Sequence, residues 1–145
     1  MNEEILNYIE RHRISVLAIE MLDGSPHAAT IHYAHTENPL TFLIETDRNY
    51  RKAEPLLARK TSRATMVIGF DEKEPITFQM DGEVRLIEES EKEQYQKVYL
   101  GKFPEKIKKI EDPNKILFVF NPTWWRYTDF TAPGGKLILT STDNI

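Results

Sequence analysis

Short β-branched and aromatic runs, each closed by a turn signal, constrain this chain to a sheet of mostly sequential strands. Ile14 to Met21 is aliphatic and ends at Asp23-Gly24, a strong hairpin signal. The next run covers Pro26 to His35, and Asn38-Pro39 turns the chain into Leu40–Glu45. Residues 3–13 carry Ile5, Leu6 and Ile9 at helical spacing, so the first half reads as a three-strand meander behind one amphipathic helix. Ala64–Phe70 and Ile76–Ile87 read as strands around the charged turn at Asp71–Glu74. Gly82, inside the second of these, marks a bulge or a close approach of backbones. Ile116–Phe120 and Trp124–Phe130 form one interrupted strand, and Lys136–Thr140 is the last. Helices are expected over Tyr50–Ala58, where Pro55 falls near the first turn and is tolerated, over Glu88–Leu100, and as a short basic segment at 105–110. Six or seven strands with three or four helices predict a mainly β fold: an antiparallel barrel with peripheral helices. At 145 residues, with no repeat or linker, the chain reads as a single domain, 1–145.

Composition removes several function classes. A net charge of −4 argues against non-specific nucleic-acid binding, which needs clustered excess cation. The absence of cysteine excludes disulfides, thiolate metal sites and a cysteine nucleophile. The N-terminus is too acidic for a secretory signal, and no window has the apolar length of a membrane span. A soluble, cytoplasmic protein is expected.

Four histidines, His12, His27, His32 and His35, invite a metal reading. Alternation along a strand sends His27 and His32 to opposite faces, and His32 and His35 likewise, so no metal site is predicted. Glu72, Glu74, Glu88, Glu89 and Glu91 read as solvated charge runs. No nucleophile elbow, Walker loop or G-x-G-x-x-G motif occurs, and Gly134-Gly135 reads as a turn.

Thr46, Arg51 and Lys52 carry more information. A strand ends at a hydroxyl, and a helix then opens on adjacent cations where unpaired N–H groups also point, which suits a phosphate. A helix start whose basic residues merely balance Glu45, Asp47 and Glu54 accounts for the same spacing. Ala28 and Ala29 leave room for a flat ligand to lie on the preceding strand, so that its backbone groups can bond a heterocycle's edge. Gln79 offers an amide that donates and accepts. Trp124, Trp125 and Tyr127 either wall in such a ring or fill the barrel core.

Taken together, ISVLAIEMLDGSPHAATIHY, FLIETDRNYRKAEPLL, FQMDGEVRLI and WWRYTDF resemble the FMN-binding split-barrel superfamily, the pyridoxamine 5′-phosphate oxidase-like proteins. The resemblance spans residues 14 to 130, and the chain is similar to short bacterial members of unassigned activity. It implies a split β-barrel homodimer with FMN at the subunit interface. It also implies that the strand Ala29, Thr30, Ile31 and His32 lines the isoalloxazine through its backbone. Thr46, Arg51 and Lys52 fall on phosphate-binding positions, and Glu45 adds main chain. Gln79 approximates a ring-contacting glutamine, at a different offset from Gly82 than in the oxidases. Trp125 and Arg126 fall in the segment that reaches the partner's flavin. Tyr50 replaces the serine that usually precedes the Arg-Lys pair, and the oxidases' C-terminal arginine–histidine pair is missing, which argues against vitamin B6 oxidation.

Two readings follow from the resemblance. In the first, an FMN-dependent oxidoreductase passes electrons from a reduced nicotinamide, NADH or NADPH, to a small acceptor; no catalytic acid or base is assigned. In the second, the same barrel is a non-enzymatic carrier of flavin, deazaflavin or haem, with His27, His32 or His35 as candidate axial ligands. A purely structural module would leave Arg51 and Lys52 without a ligand.

Overall fold

Residues 1–69 and 71–143 are described by the computed structural model of the chain; Phe70, the expected end of one strand, lies outside them. The chain begins with α1 (Glu3–Arg11) and β1 (Ile14–Glu20), then β2 (Pro26–His32), β3 (Ala34–Glu37) and β4 (Leu40–Asp47). A 3-10 turn, Arg51–Ala53, leads into α2 (Glu54–Arg59), β5 (Thr61–Ile68) and β6 (Ile76–Leu86). A second 3-10 turn (Glu89–Glu91) precedes α3 (Lys92–Lys102), and a third (Pro104–Lys106) precedes α4 (Ile107–Ile110). The chain closes with β7 (Lys115–Asp129) and β8 (Leu137–Thr140).

All eight strands join one antiparallel sheet in the order β2-β1-β5-β6-β7-β4-β3, with β8 added to β7. The sheet curls until β2 touches β4, giving a half-barrel whose two ends are linked by Tyr33. The run expected as one strand from Pro26 to His35 is thus two strands that pair with different neighbours, and the expected three-strand meander is corrected. Tyr33 is fully buried, its N–H donates to the Arg13 carbonyl, and its hydroxyl donates to the Ile9 carbonyl at 2.7 Å. These bonds take the chain off the β1 ladder and onto a new one.

The principal core fills the inside of the curl. Ile5, Tyr8 and Ile9 of α1 meet Leu17, Phe42, Ile44, Met66, Phe78, Phe118 and Tyr127. Leu6, expected on the buried stripe, is only partly covered, and Tyr8 takes its place. Asn2 caps α1 by accepting from Glu4 N–H at 2.7 Å. A second core on the outer face packs Tyr99, Phe103 and Ile110 against Leu43, Leu117 and Val119. Glu88 and Glu91, read as a solvated run, form a capping box at the start of the helical segment. Glu91 also takes a bidentate pair from Arg85 at 2.8 Å per bond.

At Gly82 the β6–β7 register shifts, as a bulge requires, and Asn121-Pro122 lies so close that a side chain would overlap it. The two expected halves of β7 are one continuous strand because the bulge absorbs the irregularity. No helix among the described residues is long and apolar enough to cross a membrane.

Candidate functional site

The curled sheet does not close by hydrogen bonds. Among the described residues, β2 has a strand neighbour on one side only, β1. β4 pairs with β3 over Leu40–Leu43, whereas Ile44–Asp47 pairs only with β7. β2 also touches the Arg51–Ala53 turn. The result is a split: two strand edges with open backbone groups, bounded at one end by a basic turn. Backbone donors and acceptors left out of a ladder find partners in water or in a ligand, and a flat heterocycle can replace the water.

The residues expected at the phosphate end are distributed around this split. Thr46 is the penultimate residue of β4, its hydroxyl buried and without a hydrogen-bond partner. Lys52 is half-buried, with its ammonium 4.7 Å from the centre of the Tyr50 ring. Burial lowers its pKa; the Asp47 carboxylate opposes that effect and Lys115 reinforces it. Arg51 is exposed, and its charge reaches Asp23 in the β1–β2 turn. The helical stretch begins as a 3-10 turn with no side-chain cap and continues into only six α-helical residues. Its macrodipole is therefore small, and charge at this end comes from the Arg51 and Lys52 side chains.

On β2, Ala29 is half-buried, Thr30 and His32 are exposed, and Ile31 points into the core. Glu45 faces the other side of β4 from Thr46, with its side chain 7% exposed, one oxygen 3.4 Å from Lys115 Nζ and Oε2 unpartnered. Lys115 also binds Asp47 at 2.8 Å, and this bond chiefly holds the Asp47 carboxyl below its usual range.

Gln79, Trp125 and Arg126 are elsewhere in the protomer. Arg126 donates to Gln79 Oε1 at 2.9 Å, on the outer face of the sheet. The registers run Thr30–Val16–Val67–Gln79–Arg126 across five strands. Gln79 is thus three strand spacings, about 14 Å, from β2. Trp125 lies against the principal core, its ring 5.6 Å from Phe78. One chain therefore brings β2, Glu45, Thr46, Arg51 and Lys52 together, but not Gln79 or Arg126.

Two groups at the split escaped the sequence reading. Lys106 bonds His32 Nδ1 at 3.2 Å and Tyr99 Oη at 2.9 Å, although it is 74 residues from His32. Lys115 joins Glu45 to Asp47. The Phe103-Pro104 break was the available signal for the first, since it swings Lys106 back over β2. A cavity of about 620 Å³ lies outside the barrel between α3, α4 and β7, and shares only Glu45 with the expected site. A second, of about 410 Å³, covers Ala18, Pro26, Thr65, Asp81 and Gly82 on the outer sheet face. No group of three or more His, Asp or Glu among the described residues is arranged to hold a metal.

A curled antiparallel sheet, an open seam between β2 and β4, and a basic turn at its end define a split-barrel protein. The chain belongs to the pyridoxamine 5′-phosphate oxidase family, whose model matches residues 1–129. No curated protein matches the sequence. Among solved structures, it is similar to a haem-binding protein from Mycobacterium smegmatis (TM-score 0.71, 14% identity), covering 92% of this chain and 56% of that one. It is also similar to a pyridoxamine 5′-phosphate oxidase-related, FMN-binding protein from Nostoc punctiforme (TM-score 0.68, 17% identity), covering 96% and 88%. A third is a Clostridium acetobutylicum protein related to general stress protein 26 (TM-score 0.69, 15% identity), covering 96% and 93%.

Proposed function

We propose that the protein binds FMN in the split between β2 and β4 and works as a flavin-dependent oxidoreductase on a small acceptor. The observation that carries this reading is the pair of unpaired strand edges converging on Thr46, Arg51 and Lys52. The residues present fit the group. Thr46 keeps a buried hydroxyl without a partner, as a phosphate oxygen would supply, and two cations follow it at the next turn of the chain. Lys52 and Arg51 would hold the phosphate, and the backbone of Ala29–His32 would bond the ring edge. When bound, FMN would supply the hydride and electron chemistry. The chain's own work is to bind it, orient it and exclude water.

We further propose a homodimer through the outer sheet face. Ile14 and Val16 are 53% and 45% exposed there, a large apolar exposure for one strand. Gln79 and Arg126 share that face but cannot reach β2 in their own chain. A two-fold partner would present them across the interface.

The haem reading is less well supported. Of its candidate ligands, the His35 side chain is 5% exposed and sits 3.5 Å from Glu10. His32 Nδ1 is engaged by Lys106, so that reading would need His32 Nε2 or His27.

The test is the visible absorption spectrum of the purified protein, before and after addition of FMN and desalting. Bands that persist and are released on denaturation as FMN support the reading, a haem spectrum replaces it, and a colourless protein that ignores FMN removes it. Arg51→Ala with Lys52→Ala should weaken FMN binding by about 1.5–3 kcal/mol per charge-assisted bond and leave folding nearly unchanged. Full affinity in that variant refutes the phosphate assignment.

A further inference from the structure

His32 is the last residue of β2, and its side chain is exposed at the mouth of the split. Lys106 approaches its Nδ1 at 3.2 Å while also donating to Tyr99 Oη at 2.9 Å. An ammonium has only protons to offer. Nδ1 must therefore present its lone pair, and the ring proton of a neutral His32 sits on Nε2, on the far side of the ring from Lys106.

The surroundings hold this arrangement. Phe103 packs on the His32 ring with centroids 5.4 Å apart, and the Lys106 ammonium lies 4.7 Å from the centre of the Phe103 ring and 5.3 Å from that of Tyr99. The charged groups that face His32 are Lys106, Arg13, Glu105 and Glu45. Arg13 and Glu105 pair with each other at 2.7 Å. Burial, then Lys106 and Arg13, lowers the imidazole's pKa, and the two carboxylates oppose that shift. A second proton on His32 would sit on Nδ1, facing the ammonium. The ring is thereby kept neutral.

We infer that Lys106 locks His32 as a neutral Nε2–H donor, and that this donor selects, at the end of β2, a ligand ring carrying a carbonyl or ring-nitrogen acceptor. This rests on the flavin reading, because a flavin's heterocyclic edge carries such acceptors. A neutral imidazole N–H polarises an acceptor without competing for its proton, as a charged imidazolium would. His32 acts here as a ligand-binding residue, and Lys106, which acts through it, is the positioning residue.

The lock is read in ligand-free protein by long-range proton–nitrogen NMR of His32. The expected result is an Nε2-protonated ring that titrates below the ordinary histidine range, with Lys106→Met moving the titration back up. An Nδ1-protonated ring, or a titration indifferent to Lys106→Met, overturns the lock. FMN is then titrated into wild type, His32→Gln and His32→Phe, with circular dichroism confirming the fold. His32→Phe should weaken binding by about tenfold, the scale of one hydrogen bond, and His32→Gln, which still donates, should restore most of it. Equal affinity in all three overturns the ligand contact. A wild type that ignores FMN overturns the flavin reading and the ligand contact with it, while the NMR result judges the lock separately.

Discussion

Replacing Gly82 with alanine tests the packing argument on which the sheet's register depends. Between Asp81–Trp124 and Gly82–Pro122 the β6–β7 ladder shifts, and the two backbones come into direct contact. A Cβ at Gly82 would overlap the Asn121 carbonyl oxygen and stand 2.9 Å from Pro122 Cα and 3.0 Å from the Asn121 carbonyl carbon. All three are backbone atoms, so no rotamer change relieves the clash. Comfortable carbon contacts need about 3.5 Å, so the strands must part by something on the order of half an ångström or more. Overpacking of this kind costs about 1–3 kcal/mol, and two strained ladder bonds add about 1 kcal/mol each. The expected loss is about 3–5 kcal/mol. With an unfolding entropy of about 2.1 cal/mol/K per residue, a chain of this length should melt about 10–16 °C lower. The assay is thermal melting by circular dichroism at fixed protein concentration. Gly101→Ala is the internal control: nothing lies within 4 Å of a Cβ there, near the end of α3. That change should gain about 0.5–1 kcal/mol from helix propensity. A Gly82→Ala protein melting within about 3 °C of wild type would refute the close-approach reading.

Gly69 combines a φ of +77° with the Tyr8 hydroxyl and Ile76 carbonyl, both where a Cβ would go. Gly69→Ala should therefore unfold at clearly lower urea and break the Tyr8-to-Ile76 bond of 2.9 Å. Glu91 has its folded pKa pulled to about 2, first by Arg85, from an ordinary 4.5. Its contribution is thus present above pH 4.5 and lost as pH falls through about 2. Glu91→Gln should cost about 1 kcal/mol at neutral pH, and the difference from wild type in urea midpoint should shrink on acidification. Lys102 donates to the His12 carbonyl at 2.6 Å, and burial lowers its pKa to about 8 from 10.5. Between those values the unfolded chain binds the extra proton, so stability rises with pH there. Lys102→Met should remove about 1 kcal/mol of that slope between pH 8 and 9.5, after allowance for its partial exposure. Val16→Glu should convert the proposed dimer to monomer in light scattering; an unchanged mass would refute the outer-face interface.

Elements set by neighbouring residues were legible before any fold was known. The Asp23-Gly24 hairpin forms as read, with Gly24 at a φ of +84° and Asp23 accepting from Ser25 N–H. Gly82 declared its bulge because a glycine inside a strand has few other uses. Other features were hidden because they depend on pairings between distant segments. Tyr33 looked like one more strand residue until its hydroxyl found Ile9 and its amide found Arg13. Glu88 and Glu91 looked like surface charge, although the capping box and Arg85 employ them.

The candidate site divides in the same way. Thr46, Arg51 and Lys52 were visible because a strand end, a short loop and a basic pair are close in sequence, and nearby chain stays nearby in space. That Ile44–Asp47 and β2 would be left with open edges follows from strand order, which no local pattern encodes. Lys106 reaches His32 only because α3 folds back over the sheet on Tyr99 and Phe103. The sequence by itself determined most of the strands and turns and the closeness of Thr46 to the Arg51–Lys52 pair along the chain. The tertiary structure decided where the sheet stays open and which distant side chains guard the opening, because contacts across dozens of residues form only when burial of a shared core compensates the entropy of closing the loops between them.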